Sequence, residues 1–190
     1  MPRTTGEHTK TAIQEVALNA FATWGYGGVA LEQIAAELGI TRSAILHHFG
    51  SKANLLQAIV DPFEAALDEL LRDQDDASVP LCPEEREILM AEIVTIYCHF
   101  HLVLRMLLRD VSSHGPIELP QRMNRRIERL VVLLAGPGAT KQDRVVVKAL
   151  LGVIVRPIID PVTDTDDEEV RDLLVRMVSR TAQFLDAASG

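Results

Sequence analysis

The chain has 190 residues, 47% of them hydrophobic, which is enough for a packed core in one large domain or two small ones without covalent staples. Only Cys82 and Cys98 are present and no CxxC pair occurs, which suggests neither a disulfide framework nor a zinc ribbon and points to a reducing compartment. Met1 to Lys10 is polar, with no apolar signal core, and the longest apolar runs fall far short of a bilayer, so a soluble, cytoplasmic protein is expected. The net charge of -8 is opposite in sign to that of most nucleic-acid binders, but it is unevenly placed. Arg3, Lys10, Arg42 and Lys52 balance Glu7, Glu15, Glu32 and Glu37 within residues 1–60, so the whole acidic excess lies in residues 61–190.

Ile13, Val16, Ala17, Ala20, Phe21 and Trp24 recur at three-and-four spacing, which predicts a first helix over Thr4 to Trp24 with Phe21 and Trp24 in the core and Gly25 as its end. Leu31, Ile34, Ala35 and Leu38 predict a short second helix closed by Gly39 in the left-handed conformation. Thr41 then caps a third, Arg42 to Phe49, whose Ile45 and Phe49 face inward. Two short helices joined by a glycine-containing turn, over residues 30–49, form a helix-turn-helix. A fourth helix starts near Ser51. Pro62, after Asp61 and before Glu64, removes a backbone donor at a cost of about 3 kcal/mol in a straight helix, so a kink or break is expected near Asp61.

Asp73 to Pro83 is polar and proline-bearing and is read as a loop, before one long buried helix over Glu84 to Asp110. Ser112 to Pro120 is a second loop, and helices follow over about Gln121 to Leu134, Thr140 to Arg156 and Thr165 to Ala187. Thr140 with Asp143, and Thr165 with Glu168, mark two of the starts. No strand-like alternation occurs. The fold class is therefore all-α, with about nine helices.

The stretch TAIQEVALNAFATWGYGGVALEQIAAELGITRSAILHHFGSKANLLQAI closely resembles the DNA-binding domain of the TetR family of transcriptional regulators. Phe21, Gly25-Tyr26, Ile34-Ala35, Leu38-Gly39-Ile40-Thr41, His48-Phe49, Ser51-Lys52 and Leu55 carry the resemblance. It implies an N-terminal three-helix DNA-binding domain over 7–67, followed over 68–190 by a C-terminal effector-binding and dimerisation domain. It also implies a homodimer whose third helices enter successive major grooves of a partly palindromic double-stranded operator. The function implied is a ligand-responsive regulator, a repressor rather than an activator, released from its operator by a small molecule acting through the fourth helix. The alternative is a helical ligand-binding dimer that has lost DNA binding.

The expected DNA-binding residues are Thr41, Arg42, Ser43, Ala44, His47, His48 and Lys52. Arg42 either pairs bidentately with a guanine or contacts a phosphate, and Lys52 matches the family's phosphate-contacting lysine. Arg3 and Lys10 are candidates for further contacts. Ala30, Ala44 and Leu46 stand where the family often has hydroxyl-bearing residues, so a cap worth about 1 kcal/mol and two phosphate contacts are expected to be missing. Aromatics are scarce after residue 60, which favours an aliphatic cavity for an apolar effector, with Tyr97, Phe100, His101, Leu104 and Met106 as candidate lining and Arg105 or Arg109 as a carboxylate partner. No cofactor and no metal site is expected: His47 and His48 are neighbours pointing about 100 degrees apart on a helix, and His99 and His101 lie on different faces. No nucleophile, base and orienting group occur at a recognisable spacing, so the chain is not read as an enzyme. Arg122, Arg125, Arg126 and Arg129 form a basic face, expected to be solvated or to meet Asp164 to Glu169. The last two helices carry more apolar surface than one pair can bury, which suits a four-helix dimer interface.

Overall fold

The computed structural model describes residues 3–72, 79–109, 118–160 and 168–177, with side chains from residue 6 onward. All regular structure among these residues is helical, in agreement with the all-α reading. The helices are α1 (Arg3–Trp24), α2 (Leu31–Glu37), α3 (Arg42–Phe49), α4 (Lys52–Arg72), α5 (Pro83–His99), α6 (His101–Arg109), α7 (Leu119–Ala135) and α8 (Lys141–Ile159). A further stretch, α9, covers 168–177. The predicted cap at Thr165 and the predicted helix beyond residue 177 lie outside the described residues. The chain forms two compact units, one of residues 1–64 with 102–121 and the other of 65–101 with 122–190.

In the first unit α1 packs on α2 and α2 on α3. Ile13, Ala17 and Phe21 of α1, Ile34 and Ala35 of α2, and Ile45 and Phe49 of α3 are buried, as their spacing requires. The turn between α2 and α3 has the hydrogen bonds of a Schellman motif: Gly39 N–H donates to Ala36 O (3.2 Å) and Ile40 N–H to Ala35 O (2.9 Å). This closure puts Gly39 at φ +64, where a side chain would be strained.

Trp24 departs from the prediction: it is 71% exposed rather than part of the core. Gly25 N–H closes α1 on Phe21 O (2.9 Å), and the ring of Tyr26 then meets Phe21 edge-on at 5.3 Å. The turn folds so closely on Trp24 O that a Cβ at Gly28 would lie 2.6 Å from it. Tyr26 thus packs on Phe21 while the indole is left in solvent. Trp24 is the single tryptophan of the chain, so intrinsic fluorescence should be red-shifted and readily quenched by acrylamide in the native state. A blue-shifted, protected emission would contradict this placement.

Of the kink or break expected near Asp61, a break does not occur, since α4 is continuous from Lys52 to Arg72 with Pro62 inside it. Proline at 62 deprives the carbonyl four residues earlier, Ala58 O, of its helical donor. Gln14 of α1 supplies the replacement, its Nε2 donating to Ala58 O at 2.8 Å. A tertiary hydrogen bond therefore satisfies the acceptor that the local sequence leaves bare.

The single long helix expected over Glu84 to Asp110 is instead two, with Phe100 leaving helical geometry at φ -102, ψ 27. His101 Nδ1 lies 3.1 Å from Cys98 O, the carbonyl that Leu102 N–H would serve in an uninterrupted helix. Nor is the segment buried all round, for Ile88 and Leu108 are exposed. Its apolar residues serve two faces instead, Leu89, Met90, Ile93, Val94 and Tyr97 on α5 and Val103, Leu104 and Met106 on α6. The start of α5 uses an unusual cap: Glu85 N–H donates to Cys82 Sγ (3.4 Å) and Glu85 Oε2 accepts from Cys82 N–H (2.9 Å).

In the second unit α5 packs on α8, and Val147, Leu151, Ile154 and Ile158 of α8 are buried. Thr140 and Asp143 cap α8 reciprocally, Thr140 N–H to Asp143 Oδ2 at 2.8 Å and Asp143 N–H to Thr140 Oγ1 at 3.2 Å; the Thr140 hydroxyl, donating to Asp143 Oδ2 at 2.8 Å, and after it the Thr140 N–H hold the Asp143 carboxyl below its ordinary range. The helix runs through Pro157 to Ile159 rather than ending at Arg156, the proline falling in its last turn. Arg126 is not solvated. Its guanidinium forks onto Asp68 (Nε to Oδ1 2.8 Å, Nη2 to Oδ2 2.6 Å), and Arg129 Nη2 donates to Leu71 O at 3.3 Å. The hydrogen bond from Arg126, with the nearby charges of Arg126, Arg129 and Arg72, holds the Asp68 carboxyl below its ordinary range against the opposing effect of burial.

Candidate nucleic-acid interface

The site begins with two short helices held at both ends. At α2 the missing hydroxyl of Ala30 leaves no side-chain acceptor, but half of a capping box remains. Gln33 Oε1 accepts from Ala30 N–H at 2.6 Å. The sequence carried that signal, a Gln three residues after the cap, and the expectation of a lost cap overlooked it. At α3, Thr41 Oγ1 accepts from Ala44 N–H at 3.2 Å, as predicted. The following helix is fixed by Ser51 Oγ accepting from Asn54 N–H (3.0 Å), while Asn54 Nδ2 donates to Phe49 O (2.9 Å).

With Ile45 and Phe49 turned inward, the opposite side of α3 presents Thr41, Arg42, Ser43 and His47 to solvent, with Ala44 and His48 half-buried. His47 and His48 meet edge-on with ring centroids 5.8 Å apart, and His48 also lies beside Phe49 at 6.4 Å. Lys10 Nζ of α1 sits 5.8 Å above the Phe49 ring, so that charge is held near the third helix.

Two contacts were not legible from spacing. Arg42 Nε lies 3.2 Å from Glu32 Oε1 of α2, in an ion pair whose side chains are 58% and 61% exposed. Lys52 donates from Nζ to the Tyr26 carbonyl, and its ammonium lies 4.2 Å from the Tyr26 ring centroid and 5.6 Å from that of Phe21. Lys52 thereby joins the start of α4 to the turn after α1. Partial burial of Tyr26 pushes its phenol above the ordinary value.

The candidate effector residues fall in both units. Tyr97, Phe100 and His101 belong to the second unit, Leu104 and Met106 to the first. Leu104 and Met106 are buried in the core of their unit. Tyr97 is buried too, which pushes its phenol up to about 12, while Phe100 and His101 are half-buried. A cavity of about 440 Å³ in the second unit is lined instead by Ala66, Glu69, Leu70, Ile88, Glu92, Thr95 and Ile96. On α8, Val145, Val146 and Val153 are exposed, as are Leu173 and Met177 on α9. No single helix among the described residues is long and apolar enough to cross a membrane.

Residues 13–59 match the family model of bacterial regulatory proteins, tetR family. The chain is 28% identical over 120 residues to the HTH-type transcriptional repressor SCO4008 of Streptomyces coelicolor, covering 63% of this chain and 58% of that one. It is 38% identical over 77 residues to the HTH-type transcriptional regulator TtgR of Pseudomonas putida, covering 40% of this chain and 37% of TtgR. The chain thus spans little more than half, or less, of these relatives' lengths. Among solved structures, SCO3833 of Streptomyces coelicolor, a TetR-family member, superposes with a TM-score of 0.71 at 24% identity over 87% of this chain and 88% of that one. The ketosteroid regulator KstR2 of Mycobacterium tuberculosis does so with 0.72 at 17% identity over 91% and 94%. These likenesses are in fold. Residues 13–59, which build the helix-turn-helix, are thus similar to the DNA-binding segment of the tetR family of bacterial regulatory proteins.

Proposed function

We propose that this chain is a ligand-responsive, DNA-binding transcriptional regulator, a homodimeric repressor that releases a partly palindromic operator on binding an apolar small molecule. The observation that carries the reading is the third helix. Thr41 caps it, Ile45 and Phe49 anchor it, and its exposed side offers Arg42, Ser43 and His47 with Ala44 and His48 beside them. A capped N-terminus with an arginine in its first turn suits base edges and phosphates together. Lys52, tied to Tyr26, serves as the backbone contact at the start of α4. The reading head corresponds to residues 7–67 and the effector-binding and dimerisation part to 68–190.

Exposed Val145, Val146 and Val153 on α8 and Leu173 and Met177 on α9 support a dimer face made from the last two helices. For the effector, Tyr97, Phe100 and His101 remain the candidate contacts, in a cavity with more aliphatic than aromatic lining. The repressor assignment takes its direction from SCO4008, which bears that description.

Selection of duplexes from a randomised library, followed by binding at several salt concentrations, tests the proposal. Arg42→Ala is expected to weaken the selected duplex by about tenfold or more while random duplex changes less. Lys52→Ala should weaken all duplexes alike and lower the salt slope by about 1. Enrichment of no duplex, or undiminished binding in both variants, would show instead a helical ligand-binding dimer without DNA binding.

A further inference from the structure

We infer that Glu32 is a specificity-determining residue of the reading head, a positioning group that holds the Arg42 guanidinium with its two terminal nitrogens free for a base. The inference rests on the proposed docking of α3 in the major groove. Arg42 stands at the first position of α3, and the ion pair joins its Nε to Glu32 Oε1 of α2 at 3.2 Å. A guanidinium carries five N–H groups in a rigid fork, and a bidentate contact to a guanine can use either the Nε side or the end bearing both Nη groups. With the Glu32 carboxylate in ion-pair contact beside Nε, the end-on fork is the edge left open to a base. Glu32 thus favours a single approach to the base.

Both partners sit on elements that cannot easily shift. Buried Leu31 and Ile34 anchor α2, buried Ile45 and the Thr41 cap anchor α3, and the Gly39 turn fixes the connection. An ion pair this exposed adds little to stability, so its consequence lies in where it points the arginine. A carboxylate beside Arg42 also weakens the pull of that cation on phosphate. The pair therefore moves Arg42 from a general backbone contact toward a base contact, which separates the two roles left open by the residue type alone.

The test uses the full chain, a duplex recovered by selection from a randomised library, the same duplex with single G·C pairs replaced, and a random-sequence duplex. Glu32→Gln removes the charge and keeps the shape, while Glu37→Gln removes a matching exposed charge from the other end of α2. Glu32→Gln is expected to tighten random duplex a few-fold and to reduce the preference at one G·C pair by about tenfold. Glu37→Gln should leave that preference intact, and in an Arg42→Ala background Glu32→Gln should remove nothing further. Circular dichroism should show unchanged helix content. Loss of the preference in Arg42→Ala but not in Glu32→Gln would overturn the inference and leave the groove-reading proposal standing. No loss at any position in Arg42→Ala would overturn both.

Discussion

Phe21→Ala is expected to destabilise the first unit by about 3–5 kcal/mol, the range for removing a fully enclosed phenyl ring. The side chain is completely buried, so truncation leaves a cavity in the core of its unit. The ring also has two specific neighbours, the edge of Tyr26 at 5.3 Å and the Lys52 ammonium at 5.6 Å. Phe21→Leu should separate these roles. It keeps most of the volume, and the loss of stability should stay under about 1.5 kcal/mol, while the more distant of the two aromatic rings beside Lys52 disappears and the Tyr26 ring remains. Urea denaturation measures the first effect, and the salt dependence of duplex binding measures the second. A midpoint for Phe21→Ala close to the parent value would contradict the packing described.

The second expectation concerns the proline that α4 tolerates. Gln14→Leu should cost about 1–3 kcal/mol, because it strips Ala58 O of its donor in a partly buried place. Pro62→Ala restores an N–H at the position that would serve the same carbonyl. In that background Gln14→Leu should cost much less, leaving a coupling of about 1 kcal/mol or more in the double-mutant cycle. Equal costs in the two backgrounds would show that Gln14 acts elsewhere. The functional corollary concerns the link between α1 and α4. While Gln14 holds Ala58, the proline cannot act as a free joint, so Gln14→Leu should loosen α4 at Pro62 and raise amide exchange in its preceding turn.

Much of this was legible along the chain because the information is local. The cap at Thr41, the left-handed Gly39, the inward Ile45 and Phe49 and the reciprocal cap of Thr140 with Asp143 each depend on residues within a turn or two of one another. The exposed side of α3 follows from the same periodicity. The family resemblance in the N-terminal stretch is dense for that reason, since every motif that carries it is a cap, a turn or a core position.

Read along the chain alone, then, the all-helical class, the helix-turn-helix and which side of α3 is exposed are settled, while the division into helices at Phe100 and the continuity of α4 are not. The remainder was decided by groups far apart in the chain. Trp24 has the spacing of a core residue, yet Tyr26 packs on the Phe21 ring and leaves the indole in water. Pro62 reads as a break until Gln14, 44 residues earlier than Ala58, provides the missing donor. Arg126 reads as solvated until it forks onto Asp68, and Lys52 and Arg42 read only as DNA contacts until Tyr26 and Glu32 are found beside them. Periodicity reports which face of a helix is apolar; it does not report which polar group from another helix arrives to satisfy a carbonyl or a charge, and that pairing exists only in the folded chain.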